Sequence, residues 1–235
     1  MKPETASAPP KVRVAILEDH QSTIDGYLYR LGRMPQIEVV GAAYSGKEME
    51  DLLDHCPVDV LFLDIQVPTA PDNLNPYPIL HVIPKLLQSY PELAVLVISM
   101  LTERTLIQAV MDAGASGYIL KDDRAAIEQL GAIVLSITGG GIYLSQQANL
   151  QLQQSRAKKT GVFLTARQLE AMSLCAAHPD WSRSDLAQNM GVSISTARNL
   201  LSNAYLRLGV PNLTAAIAKA RQLGLVTPLP PAAPQ

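Results

Sequence analysis

The feature that most constrains how this chain can fold is an alternation, repeated five times between residues 12 and 138, of a short apolar run with an amphipathic stretch. The apolar runs are Val12 to Leu17, Glu38 to Tyr44, Val58 to Leu63, Ala94 to Ser99 and Gly117 to Leu120. Between and after them, Ser22 to Arg33, Gly46 to His55, Ile79 to Ser89, Glu103 to Ala113 and Arg124 to Thr138 carry the helical period. Runs of this kind read as buried parallel strands, which need helical crossovers and cover on both faces. The pattern therefore predicts an α/β doubly wound domain built on a five-stranded parallel sheet. One stretch breaks the rhythm: Pro68-Thr-Ala-Pro-Asp-Asn-Leu-Asn-Pro-Tyr-Pro78 holds four prolines, and is expected to be an irregular loop.

Gly139-Gly-Gly141 ends the last helix of this unit, and from Leu164 onward short helices follow with no strand. Thr165 with Gln168, and Ser182 with Asp185, have the spacing of capping boxes. Ser193 and Asn212 are expected to cap helices over Ile194 to Leu208 and up to Leu223, with Gly209 between them. Two helices joined by Met190-Gly-Val-Ser193 have helix-turn-helix spacing. The expected organisation is a flexible arm (1–11), the α/β domain (12–140), a linker (141–162), a small all-α helix-turn-helix domain (163–226) and a flexible tail (227–235).

Charge follows the same division. Residues 1 to 155 hold 10 Lys+Arg and 18 Asp+Glu, whereas residues 156 to 235 hold 9 and 3. A basic small domain behind an acidic one points to a polyanion partner for the second half alone. No apolar stretch reaches the roughly 18 residues of a membrane span, and the N-terminus lacks the apolar core of a secretory signal. A cytoplasmic protein is expected. Cys56 and Cys175 are far apart, and neither has a Cys or His at ligand spacing, which argues against a disulfide framework or a zinc site.

Three of the strands end in acids or a hydroxyl. Glu18 and Asp19 follow the first, Asp64 follows the third, Ser99 ends the fourth, and Lys121 with Asp122 follows the fifth. Ligands of open α/β sheets bind just beyond the carboxyl ends of the strands. Carboxylates meeting there repel unless a hard cation such as Mg²⁺ lies between them. With a Lys and a hydroxyl beside them, the set suits phosphoryl transfer to an Asp nucleophile.

Glu18-Asp19, Asp64 with Pro68, Ser99, and Ala113-Gly-Ala-Ser-Gly-Tyr-Ile-Leu-Lys-Asp122 together resemble the receiver domain of bacterial response regulators, over roughly residues 12 to 140. The resemblance implies a flavodoxin-like sheet and phosphorylation of Asp64 by a histidine kinase. It implies Mg²⁺ held by Asp19, Asp64 and the Gln66 carbonyl, and by Glu18 through water. It also implies that Ser99 and Lys121 contact the phosphoryl group while Tyr118 swings inward. The chain would accept a phosphoryl group on its own Asp without being a multiple-turnover enzyme. It departs from the family at Met100, where a small side chain is usual, and in the long 68–78 loop.

Leu164-Thr-Ala-Arg-Gln-Leu-Glu170, Ser182-Arg-Ser-Asp-Leu-Ala187, Val192-Ser-Ile-Ser-Thr-Ala-Arg198 and Leu208-Gly-Val210 resemble the DNA-binding domain of LuxR-type regulators. With the receiver, this is similar to the NarL/FixJ type of regulator. The third helix of the domain would enter the major groove of double-stranded DNA, with Arg198, Asn199 and Ser202 on one face to read bases. Arg207 and Arg183 are placed for phosphate contacts. Leu200 and Leu213 replace residues that are commonly cationic or His in the family, so binding is expected to depend on a homodimer and on low salt. The implied function is a dimeric, DNA-binding transcription factor switched by phosphorylation. The alternatives are a phosphorylation-independent regulator and a protein-binding adaptor with weakened DNA binding.

Overall fold

The computed structural model describes residues 10–153 and 164–227. The five expected strands form as β1 (Val12–Leu17), β2 (Ile37–Ala43), β3 (Val60–Leu63), β6 (Ala94–Ser99) and β7 (Gly117–Leu120). The prolines between β3 and β6 sit in two further short strands, β4 (Pro68–Ala70) and β5 (Asn73–Pro76). The crossovers are α1 (Gln21–Leu31), α2 (Gly46–His55), α3 (Ile79–Ser89) and α4 (Arg104–Asp112). After β7 the expected single helix is two, α5 (Arg124–Glu128) and α6 (Leu130–Thr138). They part at Gln129, whose N–H is shared between the carbonyls of Ala125 and Ala126 at 3.2 Å each.

Apolar strands without alternation are explained by their two covered faces. Ala15 and Leu17 of β1, Leu61 and Leu63 of β3, Val95 and Val97 of β6, and Tyr118 and Leu120 of β7 point to one side, against Met49, Leu53, Ile83, Leu106 and Val110 of α2, α3 and α4. Val14 and Ile16, Val60 and Phe62, Leu96 and Ile98, and Ile119 point to the other, against α1 and α6 through Ile24, Tyr27, Leu31, Leu130 and Val134. Each fully buried Val, Leu, Ile, Phe or Met among them contributes about 1.5–3 kcal/mol of transfer free energy.

The sheet has six strands rather than five. A short strand β8 (Tyr143–Leu144) pairs in parallel with Gly117 and Tyr118 and gives the order β2-β1-β3-β6-β7-β8. Gly117 permits this approach, because a Cβ there would lie 2.6 Å from the Tyr143 carbonyl oxygen. Buried Ser145 extends the edge, its hydroxyl accepting the Leu120 N–H at 3.2 Å. Helix α7 (Gln146–Gln153) follows and buries Ala148 in the core beneath α4. Residues 141–153, expected as the start of a linker, thus belong to the sheet and its cover.

The expectation of an irregular 68–78 loop is overturned. Strands β4 and β5 pair antiparallel, with Pro68 opposite Pro76 and Ala70 opposite Asn73, around a turn at Pro71 and Asp72. Both strands are edges, where proline's missing N–H is tolerated. Thr69 Oγ1 also donates to the Asn75 carbonyl at 2.8 Å.

The second domain comprises α8 (Ala166–Ala177), α9 (Arg183–Asn189), α10 (Ile194–Leu208) and α11 (Leu213–Gln222). Both capping boxes form, and Ser193 and Asn212 each accept a first-turn N–H. Gly209 ends α10 at φ +67°, the left-handed conformation that glycine adopts without strain. Ala171, Leu174, Leu186, Ala197, Leu201, Ala204, Ala216 and Ala220 form its core. The outer part of the expected arm, the expected linker from 154 and the tail from 228 lie outside the described residues.

Candidate phosphoryl-acceptor site and nucleic-acid face

The register of the sheet sets the acidic site. Leu17 pairs with Leu63, and Leu63 with Val97, so the residues that follow β1, β3 and β6 emerge at one sheet end. Strands β1 and β3 are neighbours although β2 intervenes in sequence, and such a reversal of strand order opens a crevice at the carboxyl ends. Backbone bonds continue the ladder past the strand ends, from the N–H of Asp64 to the carbonyl of Leu17 and from the N–H of Lys121 to that of Ser99, each 2.9 Å.

Lys121 reaches across this end. Its Nζ lies 2.8 Å from Asp64 Oδ2 and 2.6 Å from Glu18 Oε2. Asp64 is 5% exposed and Glu18 1%. The other Asp64 oxygen, Oδ1, accepts the Ile65 N–H at 2.7 Å, which fixes the rotation of the carboxylate. Burial raises Glu18 above the ordinary carboxylate range, and Asp64 adds to that while Lys121 opposes it. For Lys121, burial pulls downward, but Asp64 and Glu18 outweigh it and hold the ammonium above its ordinary value.

Asp19 faces outward from the same bend and lies against His20, with Oδ1 2.7 Å from the ring Nδ1. The Glu18 Oε1 atom is 3.3 Å from that nitrogen. Asp19 raises the His20 imidazole above its ordinary value. Among the described residues, Glu18, Asp19 and His20 present ligand atoms within 4.8 Å of one another. Asp64 joins them through Lys121, and Gln66 lies in the bend two residues beyond Asp64. Two buried carboxylates, Glu18 and Asp64, share one half-buried ammonium while Asp19 lies at the rim, so the oxygen-rich set suits a hard divalent cation. His20 was assigned no role in the sequence, and its adjacency to the acid pair was the available signal.

Ser99 is fully buried at the end of β6, and its Oγ accepts the Leu101 N–H at 3.3 Å. Tyr118 is also fully buried and donates its hydroxyl to the Leu101 carbonyl at 2.7 Å. Burial raises its phenol above the ordinary value. Ser99 and Tyr118 hold the same residue from two strands. Met100, the departure from the family next to Ser99, is 57% exposed.

In the second domain the predicted reading residues share an open surface. Arg198, Asn199, Ser202 and Arg207 on α10 and Arg183 at the start of α9 are all exposed, while Ala197, Leu201, Ala204 and Leu208 of α10 are buried. Two apolar residues on that helix are also exposed, Ile194 at 48% and Leu206 at 78%. Leu206 stands two residues from both Ala204 and Leu208, off the buried stripe, which its spacing made legible.

The sequence pattern of the response regulator receiver domain matches residues 14–132. The chain belongs to the response regulators. The regulator is 26% identical over 218 residues to the transcriptional regulatory protein MctR of Rhizobium johnstonii, covering 93% of this chain and 97% of that protein. It is 24% identical over 236 residues to the transcriptional regulatory protein DegU of Brevibacillus brevis, covering 92% and 95%. In fold it is similar to RcsB from Salmonella enterica serovar Typhimurium, solved bound to promoter rprA with the phosphomimetic BeF3⁻, at TM-score 0.62 and 21% identity over 89% of this chain and 98% of that one. A receiver followed by a helical C-terminal domain, as in the NarL/FixJ type, is thus the regulator's architecture. No helix among the described residues is long and apolar enough to cross a membrane.

Proposed function

We propose that this response regulator takes a phosphoryl group from a histidine kinase onto Asp64 and acts in the cytoplasm as a homodimeric, DNA-binding transcription factor. The observation that carries the reading is Lys121 Nζ, 2.8 Å from Asp64 at a buried strand end with Ser99 on the neighbouring strand. An Asp64 oxygen attacks phosphorus in line, the phosphorus–nitrogen bond of the donor phosphohistidine breaks, and the electron pair leaves with the imidazole. Lys121 loses part of its partnership with Asp64 and turns its charge to the phosphoryl oxygens. Ser99 offers its hydroxyl proton to one of them. Glu18, Asp19, Asp64 and the Gln66 carbonyl would hold Mg²⁺, which neutralises charge on the transferred group.

On α10, Arg198 and Asn199 suit guanine and adenine edges, with Ser202 beside them and Arg207 and Arg183 on phosphates. The domain's basic balance supports this reading. An adaptor that docks protein through α10 is the second reading, favoured by exposed Leu206 and Ile194.

Mass spectrometry after incubation with acetyl phosphate and Mg²⁺, with the Asp64→Asn variant alongside, tests the first half. A phosphoryl adduct absent from the variant is expected, and the reading fails if neither protein gains one. Duplex binding that weakens steeply with salt is expected for the second half. Salt-independent or absent binding favours the adaptor.

A further inference from the structure

Glu18 faces two partners at once. Its Oε2 lies 2.6 Å from Lys121 Nζ, whereas Oε1 is turned to His20, accepting the backbone N–H of that residue at 3.2 Å and lying 3.3 Å from its ring Nδ1. The same Nδ1 is 2.7 Å from Asp19 Oδ1. Among the described residues, the set whose ligand atoms all lie within 4.8 Å of one another is Glu18, Asp19 and His20, so an imidazole nitrogen takes the place that an all-oxygen site gives to a third carboxylate. The other three histidines are engaged elsewhere: His55 Nδ1 lies 2.6 Å from the Asp51 carbonyl, His81 is 3.5 Å from Glu170, and His178 stacks on Trp181.

The backbone holds this nitrogen at the site. His20 precedes α1, and its carbonyl accepts the N–H of Thr23 at 3.0 Å and of Ile24 at 3.2 Å. With its own N–H on Glu18 and its carbonyl in the first turn of the helix, His20 keeps freedom only in its ring. The side chains of Glu18, Asp19 and His20 are 1%, 32% and 70% exposed, so the group opens from the buried strand end to solvent. Two neighbouring ligand atoms on one divalent cation stand about 3 Å apart when each bond is about 2.1 Å. The separations of 2.7 and 3.3 Å lie on either side of that value, so a cation can take the place of the Nδ1 proton with small side-chain movements.

We propose that His20 is a ligand, through Nδ1, of the cation held by Glu18 and Asp19, and that it makes this site prefer a first-row transition divalent cation over Mg²⁺. The ring then offers the Nδ1 lone pair and carries its proton on Nε2. Mg²⁺ selects oxygen ligands and keeps its waters, whereas an imidazole nitrogen suits the transition cations and adds more to their affinity. The inference rests on the cation-binding part of the reading above and is independent of whether Asp64 is phosphorylated.

Electron spin-echo modulation of Mn²⁺ added to the tag-free full chain tests it, because a directly bound imidazole imprints a nitrogen coupling on the manganese signal. That coupling is expected in wild type and lost in both His20→Asn and His20→Gln, whose exposed side chains leave the fold intact by far-ultraviolet dichroism. In calorimetric titrations His20→Asn is expected to lower Co²⁺ affinity by at least the roughly 10- to 100-fold that even an outer-shell partner of a metal ligand commands, and to leave Mg²⁺ affinity near that of wild type. Bound Mn²⁺ without nitrogen coupling, or a coupling that persists in both variants, would overturn the role of His20 and leave the cation site standing. An equal loss of Co²⁺ and Mg²⁺ affinity would overturn the selectivity. A wild-type chain that binds none of the three cations would overturn the proposal together with the cation-binding reading.

Discussion

Replacing Lys121 with Met removes the one ammonium that lies between Glu18 and Asp64 and keeps the volume of its stem. Both carboxylates are buried, at 1% and 5% exposure, and the lysine side chain is 15% exposed. Breaking a buried ion pair by deleting one partner costs about 3–5 kcal/mol, because the remaining charge keeps its desolvation without compensation. For a chain of this size that corresponds to a fall in Tm of about 6–20 °C. The pH dependence has a definite sign. Burial and Asp64 already raise Glu18, and loss of Lys121 raises it further. A carboxyl whose folded value exceeds its unfolded one favours the fold at low pH and opposes it as pH rises through the window between the two values. The deficit of the variant is therefore largest near pH 8 and narrows toward pH 5. In wild type the Lys121 contribution runs to higher pH, present below its unfolded value and lost only as pH climbs through the raised folded one. Thermal unfolding of both proteins at pH 5 and pH 8, followed in the far ultraviolet, measures the effect. Addition of Mg²⁺ is expected to recover part of the loss at pH 8, since a cation that binds only the folded state stabilises it. A shift of less than 2 °C that is equal at the two pH values would refute the reasoning.

Arg198→Ala is expected to weaken duplex binding and relax base preference, whereas Arg207→Ala is expected to weaken it across sequences and lower the salt slope by about one, as titrations at several salt concentrations will read. Gly46→Ala places a Cβ 2.1 Å from the buried Tyr77 ring, an overpacking expected to cost about 1–3 kcal/mol in urea unfolding. Asn212→Ala removes the cap that accepts the Ala215 N–H at 2.9 Å and is expected to cost about 1 kcal/mol, seen as a lower melting temperature of the helical domain.

Much of this fold could be read locally. The bounds of α2, α3, β1, β6 and β7 follow from apolar runs and helical period, and the starts of α8, α9, α10 and α11 from Thr165, Ser182, Ser193 and Asn212. These signals need only neighbours within a turn or a strand, which is the range over which side-chain spacing and caps act. The candidate acidic residues were legible as well, because strand ends in a parallel sheet converge by topology.

What the chain order alone did not disclose depends on atoms far apart in sequence. Proline count argued for a loop at 68–78, but pairing of Pro68 with Pro76 made a hairpin, because an edge strand does not ask proline for a donor. Strand β8 has two residues and no period, and it exists because Gly117 leaves room for Tyr143. Lys121 could be placed at a strand end from sequence, yet its bridge to both Glu18 and Asp64 is set by the packing of β7 and the reach of its stem. Periodicity and capping determined the elements and the chemical character of each surface. The sheet edge, the orientation of His20, and the hairpin's bonds to Ala177 and toward Thr227 were decided by tertiary packing, where an approach of a few ångströms joins residues that share no local signal.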